Sequence, residues 1–424
     1  MIESIRKMWK IGEIRKKIIY TFLMLLVYRL VGVIPAPGVD ALKVFTSTEL
    51  GNTNNLLGLV NMMTGNNFEK MTVMAMGITP YINASIIMQL LTIAIPALER
   101  LSKEEDGRQK INRITRYVTI GLAALQAIGL VRGLGFIKAG WLNYVLVGVS
   151  MAGGTALAMW IGERITEKGI GNGISLLIFA GIISNLFNGV VRGFSTASGN
   201  ATTSGWLTLI IVVVTCILMT IVVTFVELGE RRIPLQIAKQ VKGRRVYGGQ
   251  NTHMSLKVVS VGVLPLIFAY SFLAFPGTIA QLVNKDGAFA MWWEANMNQG
   301  KILYMIISGL LIIAFTFFYS SISFDPKQQA EQLQQQGAVI PGQRGKNIRQ
   351  YLQNIMNRLN LFAAFFLAIL AAIPTLLMKW AGVTNIPFAA SSILIAVSVA
   401  LETVRTIQGE MSVRGIDMDM DGFM

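Results

Sequence analysis

One thiol and one imidazole are all that these 424 residues offer to cysteine or histidine chemistry: Cys216, inside an apolar run, and His253, in a basic loop. No disulfide, zinc site or Cys/His pair can be built from them. Cys216 reads as a small core residue and His253 as a solvated loop residue. The phosphate-binding pattern G-x-x-x-x-G-K-[ST] does not occur, so the chain itself should not hydrolyse a nucleotide. Gly169-Ile170-Gly171-Asn172-Gly173 is glycine-rich but lacks the dinucleotide spacing, and it lies between two apolar runs. A tight interhelical turn is its reading. No catalytic residue, metal or cofactor is expected. The chemistry available is non-covalent.

The elements that would carry it are long apolar runs. Ten of them lie near residues 18–35, 71–95, 114–131, 142–162, 174–191, 206–226, 258–280, 302–322, 359–378 and 388–404. Most have the roughly 20 residues a helix needs to cross about 30 Å of hydrocarbon. Of the 37 lysines and arginines, 28 fall on the side of the N-terminus (with Arg116 at the edge of the third run) and 8 on the other; Arg29 lies within the first run. That asymmetry puts both termini in the cytoplasm. A mean hydropathy of +0.56 with 14% charged residues excludes a soluble domain. The net charge of +15 sits in short loops, where part of it serves topology and anionic lipid. The basic start from Arg6 to Lys17 resembles a signal peptide, but no small-residue cleavage site follows and Pro35-Ala36-Pro37 ends the run. It reads as a retained first helix.

Within the runs titratable side chains are nearly absent; Arg29 and Glu227 are close enough to an interface to snorkel. Ion-coupled carriers generally need an intramembrane acid or histidine, although a sodium-coupled one could use Asn, Ser and carbonyls. A passive conduit is favoured. A secondary transporter of a small solute and a non-transporting scaffold stay open.

Residues 193–205, rich in Gly, Ser and Thr, divide the runs into five and five. They read as a flexible link or as an ordinary external loop. Two charged loops, 227–257 and 324–358, are long enough for ordered projections suited to RNA or an acidic protein, or they are simply solvated positive-inside loops. Leu56 to Met63, followed by Thr64-Gly65-Asn66-Asn67-Phe68, is apolar but too short to cross, and fits a re-entrant half-helix. Met62, Met63, Met71, Met74 and Met76 surround it, either as parts of a movable stopper or as gap fillers.

Four stretches carry a family resemblance: Tyr81 to Leu91 (YINASIIMQLL), Gly162 to Ser175 (GERITEKGIGNGIS), Glu230 to Pro234 (ERRIP) and Ile340 to Gly342 (IPG). Together, in this order, they resemble the SecY family of bacterial protein-conducting translocon channels. The resemblance implies an all-α polytopic membrane protein whose ten transmembrane helices form a clamshell. Its halves would be 1–192 and 206–424, joined by a hinge at 193–205 and closed by a re-entrant plug near 57–70. It further implies a passive pore for unfolded preproteins and lateral insertion of membrane segments, in the bacterial plasma membrane. The implied partners are the small membrane subunits SecE and SecG, the motor ATPase SecA, the ribosome, signal sequences with their nascent chains, and anionic lipids.

By the same resemblance the pore ring falls on Ile82, Ile86, Ile174, Ile178, Ile267 and Ile395. Ile82/Ile86 and Ile174/Ile178 are i,i+4 pairs, each presenting two branched side chains on one helix face. Six such groups would exclude water and ions without binding a passing chain specifically. The plug maps to Leu57, Met62, Met63 and Phe68, and the lateral gate to Ile87, Ser271 and Phe275. Partner docking maps to Arg231, Arg232, Lys239, Arg244, Arg245 and Arg344. Three features depart from the family pattern. Arg344-Gly345-Lys346 lacks the usual proline, Val259 stands where asparagine is common, and the tail Gly415 to Asp421 is acidic.

Overall fold

The computed structural model describes residues 9, 11–40, 61, 64–104, 106–133, 140–199, 203–237, 240–242, 245–247, 251–262, 264–283, 287–297, 301–342, 347–381, 390–412 and 414. Each of the ten apolar runs overlaps a helix. In chain order these are α1 (Gly12–Val31), α2 (Thr79–Ala94), α4 (Gly107–Gly133), α5 (Trp141–Lys168), α6 (Gly173–Gly199), α7 (Thr203–Leu228), α8 (Leu264–Val283), α10 (Ile302–Ser323), α12 (Asn347–Ala381) and α13 (Ala390–Ser412). Among the described residues three shorter helices join them: α3 (Pro96–Lys103), α9 (Ala288–Asn296) and α11 (Pro326–Gln335).

By length and composition alone, four helices among the described residues can cross a membrane: Trp141–Lys168, Ile302–Gln335, Ile348–Ile373 and Ser392–Ser412. The pair Thr79–Ala94 and Pro96–Ser102, bent by 105°, makes a fifth. Charge occupies the first turns of α4, which opens on Arg108, Lys110, Arg113 and Arg116. The outward faces are apolar, with Phe22, Leu26 and Leu30 exposed on α1 and Ile217, Ile221 and Phe225 on α7. Such faces suit hydrocarbon.

The second run is only partly a helix. Its first residues, through Ile78, are buried turns, and α2 begins at Thr79 with Pro80 in its first turn. Left-handed backbone at Gly65 (φ 71°), Asn66 (67°), Met71 (47°) and Gly77 (52°) prevents helix there. The segment pairs instead with the end of the first run, Ala36 N donating to Met71 O at 3.0 Å and Val73 N to Ile34 O at 2.9 Å.

The glycine-rich turn is a helix junction, as its spacing suggested. Asn172 Oδ1 caps α6 by accepting from Ile174 N at 3.1 Å, and Thr166 Oγ1 accepts from Gly173 N at 2.9 Å. Thr21 Oγ1 of α1 accepts from Ile170 N at 3.1 Å, tying the turn to the first helix.

The fold is not purely helical. β1 (Glu230–Ile237) pairs antiparallel with β4 (Asn251–Lys257), from Glu230↔Lys257 to Gln236↔Asn251, and with β5 (Ala338–Val339). Between them β2 (Gln240–Lys242) and β3 (Arg245–Tyr247) form a smaller hairpin. Ile233, Leu235 and Leu256 of this sheet pack with Leu333 of α11 and with Ile348, Leu352 and Met356 of α12. The two long loops are therefore one folded projection with its own apolar core. Its α11 starts on Asp325, whose side chain accepts from Lys327 N at 2.9 Å ahead of Pro326. His253 sits exposed on β4, and Cys216 packs partly buried beside Met219 and Val223, as their contexts suggested.

Helix packing brings α2, α4 and α8 together on one side and α6, α7 and α13 on another. Close approach is needed where α5 passes the turn segment: a Cβ on Gly154 would collide with the Val73 carbonyl, which is backbone and cannot swing aside. Replacing Gly154 with Val should therefore destabilise the protein by about 1–3 kcal/mol, read as a lower unfolding temperature in detergent. An unchanged unfolding temperature would contradict this packing.

Candidate functional site

The six isoleucines singled out by resemblance meet in one apolar cluster. Ile82 and Ile86 come from α2, Ile178 from α6, Ile267 from α8 and Ile395 from α13; all are buried, and Ile174 packs half-buried against them. Four-residue spacing does the local work, since one helical turn later the same face points inward again. Met74 and Ile78 join this cluster from the turn segment, Phe268 from α8 and Val399 from α13. Burying each isoleucine is worth about 1.5–3 kcal/mol relative to exposure, so the cluster closes without any polar contact.

Against it lies a cavity of about 410 Å³. Ile82, Ile86's neighbour one turn earlier, lines it together with Ile174, Ile178, Ile267 and Ile395. Val259, Val261, Leu264 and Leu401 extend the apolar lining, and polar groups are set among them. Tyr81, Ser85 and Gln89 form a stripe at four-residue spacing along α2, and Ser175 and Ser398 face them from α6 and α13. Charges of both signs, from Glu227, Lys257, Glu402 and Arg405, lie at the end nearest the sheet. Ser398 Oγ donates to Glu227 Oε1 at 2.7 Å, while Arg405 Nη2 donates to the Glu227 carbonyl at 3.4 Å and lies 3.7 Å from Glu230 Oε1. Such a mixed rim holds water without binding one sign of charge.

The remaining expected residues are placed unevenly. Phe68 is buried, but in a second cluster with Met71, Met76, Val147 and Met151, apart from the six isoleucines. Leu57, Met62 and Met63 lie outside the described residues, as do Lys239, Arg244 and Arg344. Ile87 is half-buried on α2, and Ser271 is buried on α8, which packs against both α2 and α4. Position 275 is on α8, its side chain outside the description, and the same holds for Arg245 on β3. Arg231 and Arg232 are exposed on β1. Val259 is buried and lines the cavity.

Arg29 differs from its expectation. It does not snorkel; it donates to the carbonyls of Gly65 and Ala180. The Gly65 carbonyl is left over by non-helical backbone, and the Ala180 carbonyl belongs to α6; together they take the place of water. The polar stripe was also missed, although Tyr81, Ser85 and Gln89 stand four apart in the sequence. Among the described residues no group of three or more His, Cys, Asp or Glu could hold a metal ion.

A helical membrane protein whose apolar constriction adjoins a cavity of mixed lining is built as a conduit. The SecY family model matches residues 72–404. Protein translocase subunit SecY of Streptomyces galbus is 37% identical, with 98% of this chain and 99% of that protein aligned. The same subunit of Aquifex aeolicus is 38% identical over 96% of this chain and 97% of its own. The fold matches a solved protein-conducting channel with a TM-score of 0.69 at 20% identity, covering 94% and 92% of the two chains. It also matches Sec61 in the canine ribosome–channel complex, at a TM-score of 0.66, 18% identity and the same coverage. The chain belongs to the SecY family.

If the isoleucine cluster is the closed constriction, a polar group within it should retain water and remove the dewetted barrier. Ile267→Asn and Ile395→Asn should each raise resting ion conductance about tenfold, the factor given by about 1.4 kcal/mol, and should relax the need for a good signal sequence. Variants that neither leak nor relax that need would contradict the assignment.

Proposed function

We propose that this chain is the channel subunit of a bacterial protein translocase, a passive pore that carries unfolded preproteins across the plasma membrane and releases membrane segments sideways into lipid. The observation that carries the reading is the convergence of isoleucines from α2, α6, α8 and α13 on the wall of one cavity that also holds polar and charged groups, in a chain of the SecY family. A ring of branched apolar groups can seal against ions and still yield to any polypeptide, because its contacts are unspecific.

Lateral release follows from partitioning. A segment gains roughly 0.3–0.6 kcal/mol for each Leu-like residue that enters lipid, whereas a central Lys or Arg costs about 2.5–3.5 kcal/mol. A seam that opens to lipid therefore sorts segments by composition. We place that seam between α2 and α8, with Ile87, Ser271 and Phe275 along it, and the hinge at 193–205 between halves 1–192 and 206–424. The plug is assigned to 57–70. Both termini are assigned to the cytoplasm, and the strand-bearing projection with them.

Driving force has to come from outside the chain. Arg231 and Arg232 are exposed on β1 and, with Lys239, Arg244, Arg245 and Arg344, suit docking of the motor ATPase SecA or of ribosomal RNA. Two structural relatives support the ribosome as a partner: the canine Sec61 complex and a yeast Ssh1 complex bound to the 80S ribosome. SecE and SecG are assigned as the small membrane subunits, and anionic lipid as the surroundings of the basic loops.

A crosslink tests the seam. With Cys216→Ser, the pair Ile87→Cys and Phe275→Cys would be the only thiols in the chain. A disulfide requires Cα atoms about 4.4–6.8 Å apart, so efficient oxidation would report contact between the closed helices. The bond should halt translocation and membrane insertion, reduction should restore both, and a long flexible crosslinker should be tolerated. Normal transport through the fully oxidised channel would sink the lateral seam.

A further inference from the structure

Arg29 is the third-last residue of α1, in its last turn. Nη1 donates to the Gly65 carbonyl at 3.3 Å and Nη2 donates to the Ala180 carbonyl. One side chain thus joins three separate pieces: α1, the turn at Gly65 and α6. Gly65 holds a left-handed φ of 71°, and a Cβ on it would run into the guanidinium. Asn61, ahead of this turn, is also tied to α6, since Asn185 Nδ2 donates to the Asn61 carbonyl at 3.2 Å. Asn61 in turn accepts from Glu69 N at 2.9 Å through its Oδ1.

Ala180 lies between Ile178 and Ile182, both members of the isoleucine cluster. The helix that supplies the constriction therefore also supplies the carbonyl that Arg29 holds. We propose that Arg29 is a positioning residue that couples the constriction to the re-entrant segment. It holds Gly65 against α6 while Ile178 is in the closed cluster, and it releases Gly65 when α6 moves outward. This rests on the channel reading above.

The chemistry favours release on opening. A guanidinium presents donors in a rigid planar fork, so it serves two carbonyls only while their separation is fixed. In dry surroundings charge-assisted bonds to those carbonyls are strong. When a pore opens beside them, water competes for the same carbonyls and raises the local dielectric, and the fork weakens as it is pulled. The latch is firm when closed and weak when open, which a purely apolar contact would not be.

The test uses the full chain with its partner subunits in lipid vesicles, in three variants: Arg29→Met, Arg29→Lys and Gly65→Ala. Thr64 is 1% exposed, so alkylation of a Thr64→Cys substitution in a Cys216→Ser background reports release of the turn without requiring transport. Arg29→Met and Gly65→Ala should each raise both the alkylation rate and the resting ion conductance about tenfold, the effect of losing one charge-assisted bond. Arg29→Lys, which keeps the charge but loses the fork, should resemble Arg29→Met. A folded Arg29→Met protein with unmodified alkylation and conductance would overturn the proposal, as would an Arg29→Lys protein that behaves like the parent. Should Arg29→Met fail to accumulate, Gly65→Ala decides in the same way. A parent protein that passes neither ions nor precursor under any driving condition would overturn the channel reading instead, with the alkylation comparison still deciding the contact.

Discussion

Hydrocarbon offers no partner to a backbone amide or carbonyl, so every non-helical residue between membrane-spanning helices must be satisfied by the protein itself. Residues 64–78 impose that constraint, and much of the architecture answers it. Four left-handed positions break the helix. The freed groups pair with the end of the first run, through Ala36 and Val73, and with one another, as where Thr72 N donates to Asn67 O at 3.2 Å. Arg29 and Asn185 supply what the backbone cannot. Phe68, Met71, Ala75 and Met76 wrap the segment in an apolar cluster shared with α4 and α5. Because α2 can start only after this segment, the segment also sets the height of Ile82 and Ile86 on their helix.

That placement decides how the site works. A constriction has to be apolar to exclude ions, yet the cavity beside it has to be wet to admit a polar chain. The two requirements meet along α2, where Ile82 and Ile86 alternate with Tyr81, Ser85 and Gln89 in adjacent stripes. A stripe rotated by one residue would put serine into the cluster or isoleucine onto the rim. On α13 the change happens along the axis instead: Ile395 at the cluster, Ser398 next, then Glu402 and Arg405 at the charged end. The charged groups gather at the end near the sheet, with Val399 and Leu401 still lining the wall between Ser398 and Glu402.

The sequence conveyed the helices better than their interruptions. Hydropathy locates all ten runs because burial in lipid demands roughly 20 apolar residues in a row. It also ran the second span back to residue 71, since methionine-rich turns buried in protein are as apolar as a helix, and only the φ values of Met71 and Gly77 tell them apart. The isoleucines were legible through family resemblance, not through pattern, because an isoleucine facing lipid and one facing a constriction look alike. Arg29 was visible as an odd charge in an apolar run, but its acceptors are backbone carbonyls 36 and 151 positions away, and carbonyls leave no mark in a sequence. The two charged loops looked like separate projections for a similar reason. Their joining depends on β1 pairing with β5, about 100 residues further on.

The seams on the two sides of the molecule are built from different forces. Where α1, the Gly169 turn and α13 meet, Ile14, Ile170 and Met411 are buried together. Lys17 pairs there with Glu410 at 2.5 Å and Arg414 with Glu13. Each partly exposed ion pair is worth only about 0–1 kcal/mol, but two of them fix the register of the first and last helices over a shared apolar core. Where α2 meets α8, the contact runs through Ile82, Ile86, Ile267 and Phe268. Apolar side chains of this kind lose little when lipid or another apolar helix replaces their neighbour. Parting α2 from α8 is therefore easier to compensate than parting α1 from α13, whose ion pairs and hydrogen-bonded turn have no substitute in lipid. An apolar segment entering from the cavity would find the replaceable seam first, and that is the side on which the proposed lateral exit lies.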